Sequence, residues 1–403
     1  MDDILIVGAG IGGLTAALTL HAAGIPCRVF EAVPEIRAVG VGINILPHGA
    51  AELARLGLEP ALLRVGIETK ESVFFNRFGQ LIWREPAGRF AGFTHPQISI
   101  HRGDLQRVLL NAAQQRLGAD HILTGWECTA AAQDAQGVTL HFNNRPPQRG
   151  RAAIACDGIR SAIRRQFFPD EGLPLYSGVN MWRGTTIWPR FLSGASMVRA
   201  GWLATGKMVI YPIRDAVDAE GRQLVNWVAE IATPRHLDRD WNRAGNLDDF
   251  LPAFANWHFD WLDVPALLRA AEQVLEFPMV DQDPLPRWSF GRVTLLGDAA
   301  HPMVPRGSNG AGQAILDARA LADCLAVEPD TETALARYEA ARLGPTANVV
   351  LTNRSNPPDA ILREVYERTG DRPFARIEDV IPEEELRALS EGYKTIAGLR
   401  RGS

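Results

Sequence analysis

The 403-residue sequence predicts an α/β fold, in which a helix-covered parallel sheet carries an inserted β-rich section. Residues 4–7 (ILIV) and 293–296 (VTLL) are short apolar runs, typical of strands that are buried on both faces. Each run enters a glycine-containing turn that precedes a helical pattern. Between residues 170 and 280 apolar and polar residues alternate instead, which indicates half-buried strands.

Composition and charge exclude several classes of protein. Hydrophobic residues make up 46% of the chain and charged residues 22%, so we expect an ordinary globular core rather than disorder. Lys plus Arg number 42 and Asp plus Glu number 47, which gives a formal net charge of −5. This acidic balance argues against a nucleic-acid-binding protein and against a polybasic membrane-surface protein.

Cysteine and histidine spacing gives no support for a disulfide framework or a metal site. The four cysteines, at positions 27, 128, 156 and 324, include no C-x-x-C, so we expect reduced thiols in a cytoplasmic protein. The histidines include no H-x-x-x-H, and the hydrolase motif G-x-S-x-G is absent. The apolar residues 4–20 follow two aspartates and contain many glycines, so we predict neither a signal peptide nor a membrane span.

The strongest motif follows the first strand. A glycine-rich turn of the form G-x-G-x-x-G joins that strand to a helical stretch; its motif glycines are Gly8, Gly10 and Gly13, and Gly12 lies between them. Such glycines allow a tight turn, close approach of a pyrophosphate, and close packing of helix on strand, while the helix N-terminus stabilises the phosphate charge. A second apolar strand ends in Glu31, which can accept hydrogen bonds from a ribose without a 2′-phosphate. The motif therefore predicts a site for FAD or NAD rather than NADP.

Two further segments place an aspartate at the end of a strand. One ends in Gly297-Asp298, and a glycine-rich loop then opens a second helical stretch. The other ends in Asp157-Gly158, with Ser161 placed to cap the next helix. Such an aspartate can accept hydrogen bonds from the ribityl hydroxyls of a flavin, and the second helix N-terminus can stabilise negative charge on a reduced flavin ring.

Taken together, the three segments resemble the single-component FAD-dependent aromatic hydroxylases, also called class A flavoprotein monooxygenases. The resemblance spans residues 1 to about 350. Within that family the sequence is most similar to phenazine-carboxylate hydroxylases, through residues 40–45, 100–105, 181–184 and 224–228, and it also resembles salicylate and 6-hydroxynicotinate hydroxylases. It departs from many relatives at residues 307–310, which are Gly-Ser-Asn-Gly where those relatives carry Gly-Gln-Gly.

The resemblance implies a Rossmann-like FAD-binding domain with an inserted β-sheet substrate domain, the aromatic hydroxylase fold. It implies FAD as cofactor, NADH or NADPH as co-substrate, and hydroxylation of an aromatic or heteroaromatic ring through a flavin C4a-hydroperoxide. We expect a carboxylated, phenazine-like substrate, with loss of the carboxylate left open. The motifs and the resemblance assign to the cofactors Gly8, Gly10, Gly12, Gly13, Glu31, Arg37, Val41, Gly42, Arg102, Asp157, Arg164, Gly297, Asp298, Pro305, Gly310, Ala311 and Gly312. We expect NAD(P)H to dock near Arg164 and the Asp157 loop.

The predicted domains are discontinuous. Residues 1–70, 97–165 and 280–355 are assigned to the FAD-binding domain, residues 71–96 and 170–280 to the β-rich substrate domain, and residues 356–403 to a C-terminal helical tail. The tail is interpreted as a lid, a packing helix or a dimer contact, and the protein as a monomer or homodimer. Eight of the ten tryptophans lie between residues 182 and 288. Each fits a core position by itself, and as a group they fit a wall for a flat aromatic substrate.

Three residues are candidates for the catalytic site. By the resemblance, Tyr211 aligns with a tyrosine whose side chain is directed at the substrate in relatives, although a tyrosine packed in the core is the alternative. His48 could be a base near the flavin edge. Arg183 could pair with a substrate carboxylate, although a surface arginine at a strand edge is the simpler interpretation. His301 is expected to be structural.

Two other functions stay open at this point. A flavin oxidoreductase that dehydrogenates or epoxidises a larger natural product would share every FAD motif. A non-catalytic nucleotide-binding module would need the first motif but not both aspartate motifs.

Overall fold

A computed structural model describes residues 3–37, 40–233, 243–355, 359–396 and 398. The strands in these residues are β1 (Ile4–Val7), β2 (Cys27–Glu31), β3 (Gly42–Ile45), β4 (Ile67–Glu68), β5 (Glu71–Phe75), β6 (Leu81–Pro86), β7 (Ile98–His101), β8 (Ile122–Thr124), β9 (Cys128–Asp134), β10 (Gly137–Phe142), β11 (Arg145–Gly150), β12 (Ala152–Ala155), β13 (Leu175–Trp188), β14 (Ser196–Trp202), β15 (Gly206–Arg214), β16 (Gln223–Ala232), β17 (Arg243–Ala244), β18 (His258–Phe259), β19 (Leu262–Asp263), β20 (Val274–Asp281), β21 (Ser289–Phe290) and β22 (Val293–Leu295).

The α-helices in the same residues are α1 (Ile11–Ala22), α2 (Pro47–Arg55), α3 (Glu59–Val65), α4 (Arg102–Leu117), α5 (Ala162–Phe167), α6 (Leu251–Phe254), α7 (Val264–Arg269), α8 (Gly310–Val327), α9 (Thr331–Ser355), α10 (Ala360–Thr369) and α11 (Glu383–Ile396). Within the described ranges, no helix combines the length and the apolar character that a membrane crossing requires.

A six-stranded sheet forms the first layer, in the order β21-β22-β12-β1-β2-β8. Strand β1 lies in its interior and pairs in parallel with both β12 and β2, which explains why all four of its side chains are buried. Helix α1 contacts both α4 and α8, and the three helices contribute apolar side chains to the core of this layer. The helix-covered parallel sheet predicted from the apolar runs is confirmed.

An eight-stranded sheet forms the second layer, in the order β17-β20-β13-β16-β15-β14-β5-β6. Its pairs are antiparallel except for β14 with β5, which run parallel. One face packs against residues 247–271, and the opposite face carries Tyr211 and is turned toward β3 of a small three-stranded sheet. The strands expected in residues 170–280 are therefore present. The expectation that they are half-buried is wrong for β14, β15 and β16, whose side chains are mostly buried on both faces because both sides of the sheet are covered.

The tryptophans lie in the cores of the two layers. Trp182, Trp227 and Trp257 are buried between the eight-stranded sheet and residues 247–271, on the face away from Tyr211. Trp288 packs in the core of the six-stranded sheet, against His301. Trp241 lies outside the described residues. The expectation of a tryptophan wall for the substrate is wrong for these four residues. Strand alternation points Trp182 and Trp227 away from the face that carries Tyr211, and Trp257 and Trp288 are buried in the two cores.

The C-terminal residues pack on the edge of the eight-stranded sheet. Apolar side chains of α10 and α11, including Ile361 and Leu386, form one buried cluster with Phe74 and Ile82. Just before α10, Asp359 is 3% exposed and pairs with Lys207 and with Arg199, 3.2 Å away. Of the roles considered for residues 356–403, packing is the one that these contacts describe.

Candidate active site

The first glycine turn is tightly packed on one side and open on the other. Gly8 has a φ of +98°, and a Cβ atom there would lie 2.5 Å from the carbonyl oxygen of Cys156. A Cβ on Gly13 would lie 1.9 Å from the carbonyl oxygen of Gly8. At Gly10, by contrast, no atom lies within 4 Å of the Cβ position, at the start of α1. The protein therefore has a structural reason for glycine at 8 and 13, whereas Gly10 leaves space for a ligand to approach the backbone.

Glu31 lies beside this turn, at the end of β2. Its Oε2 accepts a hydrogen bond from the backbone N–H of Ala9 at 2.7 Å, and its Oε1 accepts one from Val33 at 3.0 Å. Gln106 of α4 donates to the carbonyl oxygen of Ala9 at 2.8 Å. Because each carboxylate oxygen has two acceptor directions, Glu31 can hold the turn and still accept from a hydroxyl group.

The turn before Asp298 is supported from beneath by a buried ionic cluster. Asp317 is fully buried and accepts hydrogen bonds from Gly297 at 3.2 Å and from Arg342 at 2.7 Å. His301, which sequence analysis expects to be structural, lies 2.5 Å from the same carboxylate through its Nε2. Although burial opposes ionisation, the charges of His301 and Arg342 hold the pKa of Asp317 below its usual value. The cluster fixes the Gly297-Asp298 turn.

Asp298 lies in a recess of the protein surface beside the first turn of α8, and this recess is called the cleft below. Its side chain is exposed to solvent although protein surrounds it, and this desolvation raises the carboxyl pKa against the charges of His301 and Arg102. Its Oδ1 lies 4.0 Å from the Cβ position of Gly310, in the first turn of α8. Ala311 and Gly312 follow in the same turn. An acceptor carboxylate therefore faces a helix N-terminus across the cleft.

The Asp157 turn is joined to the Asp298 turn by Arg164. Asp157 accepts from the backbone of Ala162 at 2.8 Å, and Ser161 caps α5 as predicted, accepting from the Arg164 N–H at 2.9 Å. The guanidinium of Arg164 is 2% exposed, pairs with Glu171 and donates to the carbonyl oxygens of residues 299 and 300 at 2.9 and 3.0 Å. These contacts do not fit the expectation that Arg164 meets a docked NAD(P)H, because its donors are buried and already engaged.

Gly42 joins the cleft to the eight-stranded sheet. Its N–H donates to the Oδ1 of Asn226, and its carbonyl oxygen accepts from the Nη2 of Arg183, each at 2.7 Å. A Cβ on Gly42 would lie 2.7 Å from side-chain atoms of both Asn226 and Ile213, so only glycine fits. Neighbouring Val41 is buried and accepts from the N–H of Arg102 at 2.9 Å.

Arg183 lies on a central strand and faces inward. Its strand β13 is flanked by β16 and β20, so the alternative of a surface arginine at a strand edge is wrong. No carboxylate of the described ranges forms an ion pair with Arg183. Burial lowers the pKa of this guanidinium, as expected for a cation held away from water without a matching anion.

Tyr211 lies beside Arg183, across β16. The residue is 4% exposed, and burial raises its pKa, while the charge of Arg183 and hydrogen bonds to Asn44 and Arg183 oppose that rise. Apolar side chains surround this part of the sheet face, namely Met181, Met197, Val209, Ile213, Val228 and Met279. The arrangement provides a polar group at one point of an otherwise apolar wall.

His48 begins α2 and packs against Gly312. Its Nε2 lies 3.1 Å from the Cβ position of that glycine, and both ring nitrogens are buried without a hydrogen-bond partner among the described residues. Burial and the charge of Arg342 lower the pKa of His48 to about 4. The imidazole is therefore neutral at physiological pH and is a weak base there, which favours a packing role against α8.

Several of the predicted cofactor residues lie at the surface. Arg37 is exposed and donates to Glu35 at 2.8 Å, and Pro305 is exposed in the loop before α8. Arg102 is also exposed, but its side chain lies 3.6 Å from the Cβ position of Gly40, and its charge acts on Asp298 and Arg183. Gly12 faces the sheet, with its Cβ position 3.0 Å from Leu296.

Sequence analysis missed four polar residues at this site. Asp317 and Arg342 support the Asp298 turn, and Asn44 and Asn226 lie at the Gly42 joint. Each asparagine interrupts an apolar strand, and that pattern was the available signal. The described part of the chain brings together no group of three or more His, Cys, Asp or Glu side chains that could hold a metal ion.

FAD fits the geometry of this cleft. The open backbone at Gly10, the carboxylate of Glu31, the accessible carboxylate of Asp298 and the N-terminus of α8 are suited in turn to a pyrophosphate, a ribose, a ribityl chain and a flavin ring. The second sheet adds an apolar wall with Tyr211 and Arg183. Fold and site thus define an FAD-dependent enzyme with a separate surface for an organic substrate.

The chain belongs to the FAD-dependent aromatic hydroxylases, the class A flavoprotein monooxygenases. A family model described as an FAD binding domain matches residues 1–173 and 263–352. The chain is 43% identical to phenazine 1,6-dicarboxylic acid hydroxylase PhzS of Lysobacter antibioticus, over 98% of this chain and 97% of that protein. It is 30% identical to 6-hydroxynicotinate 3-monooxygenase of Pseudomonas fluorescens, over 88% and 90% of the two chains.

A solved structure shares the whole architecture. The crystal structure of Klebsiella pneumoniae HpxO, complexed with FAD and uric acid, matches with a TM-score of 0.78 and 26% identity, over 99% of this chain and 95% of that one. The predicted fold class, cofactor and hydroxylase activity are confirmed. The enzyme is an FAD monooxygenase that hydroxylates aromatic compounds, with the NAD(P)H dependence of its family.

Proposed function

We propose that this enzyme hydroxylates a planar aromatic carboxylate of phenazine size. One observation carries the proposal. Arg183 is a half-buried cation that faces the cleft from a central strand, and no carboxylate in the described ranges forms an ion pair with it. A substrate carboxylate would supply the missing anion through a charge-assisted hydrogen bond. The similarity to a phenazine 1,6-dicarboxylic acid hydroxylase supports the same substrate class.

The side chains around Arg183 have separate roles in this proposal. Tyr211 offers a hydroxyl group that orients the substrate. Met181, Val228 and Met279 form an apolar surface that excludes water from the reacting ring. Of the three catalytic candidates, Arg183 and Tyr211 contact the substrate, and His48 keeps α2 against α8.

We also propose which residues hold the cofactor. Gly10 and the start of α1 receive the pyrophosphate, Glu31 the ribose, and Asp298 the ribityl chain, with α8 directed at the flavin ring. When bound, FAD accepts a hydride from NAD(P)H and, with O₂, supplies the electrophilic oxygen. The protein then orients the substrate and excludes water from the reacting ring, and Arg183 and Arg102 supply positive electrostatic potential.

Two stoichiometries fit the same site. In simple hydroxylation, Ar–H, NAD(P)H, H⁺ and O₂ give Ar–OH, NAD(P)⁺ and water. In decarboxylative hydroxylation, Ar–COOH replaces Ar–H and CO₂ leaves as the C–O bond forms. In the second case the carboxylate that Arg183 binds is the group that departs.

In this proposal, one predicted domain binds the substrate and the other binds FAD. Residues 71–86 and 175–281 contribute strands to one eight-stranded sheet, which supports the proposal that they form the substrate domain, and the flanking segments the FAD-binding domain. The need for NAD(P)H and the four free cysteines support the predicted cytoplasmic location.

The proposal is tested with the FAD-loaded enzyme and R183M. We expect a phenazine carboxylate to accelerate NAD(P)H oxidation and to gain one oxygen. We expect R183M to weaken its binding by about 10- to 150-fold, the size of a charge-assisted hydrogen bond, and to leave binding of unsubstituted phenazine unchanged. R190M, at an exposed arginine paired with Asp215, is the matched control. Equal loss of affinity for both ligands would contradict the carboxylate contact.

A further inference from the structure

Two arginines lie at the ends of one row of side chains across the second sheet. Arg183 on β13 pairs with Val228 on β16, which in turn pairs with Val209 on β15. Val209 pairs with Arg199 on β14. Directly paired residues point to the same face, and the two valines belong to the apolar wall beside Tyr211. Three strand spacings separate the arginine Cα atoms by about 14 Å, so the proposed substrate surface has a cation near each end.

The two arginines differ in whether the protein already supplies an anion. Arg183 forms no ion pair with any carboxylate of the described ranges. The Nε of Arg199, by contrast, lies 3.2 Å from the Oδ1 of Asp359, and its Nη1 donates to the hydroxyl of Ser72 at 3.2 Å. Arg199 is 9% exposed and Asp359 is 3% exposed. One end of the row is therefore open to an anion from outside, and the other end is already neutralised.

Asp359 reaches Arg199 from the C-terminal part of the chain. It directly precedes α10, whose apolar side chains pack on Phe74, and the Arg199 guanidinium lies 5.3 Å from the centre of the Phe74 ring. The Asp359 carboxylate also pairs with Lys207, which pairs in turn with Glu230 at 3.0 Å. Lys207 and Glu230 lie opposite each other in the neighbouring row of the same face. Two cations thus fix Asp359 at this end of the substrate surface.

We propose that Asp359 is a specificity-determining residue, which occupies the anion position at Arg199 and restricts the enzyme to aromatic monocarboxylates. The inference rests on the proposed contact between Arg183 and the substrate carboxylate. A flat acid with one carboxylate binds Arg183 and lays its rings over the two valines. A second carboxylate at the far end of the rings meets the negative charge of Asp359, and such a like-charge contact discriminates against that ligand.

The first test compares two ligands of the wild-type, FAD-loaded enzyme. Phenazine-1-carboxylate carries one acid group, and phenazine-1,6-dicarboxylate carries one on each outer ring. Their dissociation constants are measured from the change in flavin absorbance of the oxidised enzyme. We expect the dicarboxylate to bind at least about 10-fold more weakly, because its second carboxylate loses water without gaining a cation. Equal or tighter binding of the dicarboxylate would overturn the proposal, and this comparison needs no variant.

Variants then test whether Asp359 causes the selectivity. Asp359→Asn leaves Arg199 available to a second carboxylate, and we expect it to improve binding of the dicarboxylate, relative to the monocarboxylate, by about 10- to 100-fold. Glu230→Gln is the matched control, because it also removes one negative charge from this buried network but leaves Arg199 paired with Asp359. The gain should disappear in the double variant D359N/R199M. An equal gain in E230Q, or a gain that survives R199M, would overturn the proposal in favour of a general charge effect.

The outcomes separate this inference from the proposed function. If the wild-type enzyme binds both acids equally and R183M weakens both, the role of Asp359 is refuted while the carboxylate contact of Arg183 stands. If the wild-type enzyme binds neither acid, the proposed function itself is refuted, and the inference fails with it.

Discussion

Two glycines three residues apart should respond to alanine in opposite ways. At Gly13 a Cβ atom would lie 1.9 Å from the carbonyl oxygen of Gly8, whereas at Gly10 no atom lies within 4 Å of the Cβ position. Gly10 also has extended backbone angles, φ −72° and ψ −174°, that alanine adopts without strain. Gly13→Ala therefore perturbs the protein itself, and Gly10→Ala perturbs only what approaches from outside.

The distances set the expected sizes. A contact of 1.9 Å between a methyl carbon and a carbonyl oxygen forces the turn to move by about 1 Å, so we expect G13A to cost at least about 3 kcal/mol of the free energy of unfolding. We expect G10A to change that free energy of the apoprotein by less than about 0.5 kcal/mol. Its methyl group would occupy the space proposed for the pyrophosphate, which should weaken FAD binding by about 10- to 100-fold.

The assay combines denaturant unfolding of the apoprotein with FAD titration followed by flavin fluorescence. G10A should unfold like the wild type and bind FAD poorly, while G13A should unfold at clearly lower denaturant. If G10A bound FAD as tightly as the wild-type enzyme, the pyrophosphate would not lie at Gly10, and the cofactor placement would be refuted.

The remaining predictions concern stability, each measured by denaturant unfolding. The pKa of His48 is about 4 in the folded protein, below its ordinary value of 6.5, so the unfolded state binds the proton more readily. The free energy of unfolding should therefore fall by up to about 3 kcal/mol as the pH is lowered from 6.5 to 4. The variant H48L should lack this pH-dependent loss. Asp359→Asn should cost about 3–5 kcal/mol, because it leaves Arg199 without its carboxylate and Lys207 with Glu230 as its one remaining anion, whereas D283N at an exposed pair should be neutral. Equal effects of the two substitutions would contradict the buried network. Gly392→Ala in α11, where no atom is within 4 Å of the Cβ position, should stabilise the holoenzyme by about 0.5–1 kcal/mol, and destabilisation would show that this helix is misplaced.

The sequence predicts best where local chemistry decides the structure. The buried run Ile4–Val7, the close packing at Gly8 and Gly13, and the Ser161 cap follow from the order of a few adjacent residues, and the structure has each of them. Their geometry depends on backbone sterics and neighbouring hydrogen bonds, which a short segment already contains.

Prediction fails where partners are distant in the chain. Asp317 supports Gly297 from 20 residues away, and Arg164 engages carbonyl oxygens of residues 299 and 300 from more than 130 residues away. No local pattern distinguishes an arginine with such partners from one free to meet a dinucleotide. The sequence alone could not reveal which buried donors were already taken.

Strand alternation leaves a second ambiguity. It shows that Ile210 and Tyr211 face opposite sides of a sheet, but not which side meets the cofactor domain. Each tryptophan therefore fitted either a core position or, as one of a group, a substrate wall, and the structure buries four of them in the two cores. The strand-edge alternative for Arg183 stayed open for the same reason, because strand order in the sheet is a long-range property.

The most direct test of the account is oxidation of NADH and NADPH by the FAD-loaded enzyme, across phenazine, benzoate and pyridine carboxylates, with the products identified by mass. We predict that a phenazine carboxylate accelerates oxidation and yields a product with one added oxygen, with or without loss of CO₂. Oxidation that no aromatic carboxylate accelerates, with no oxygenated product, would contradict the assignment of Arg183 and Tyr211 to an aromatic acid.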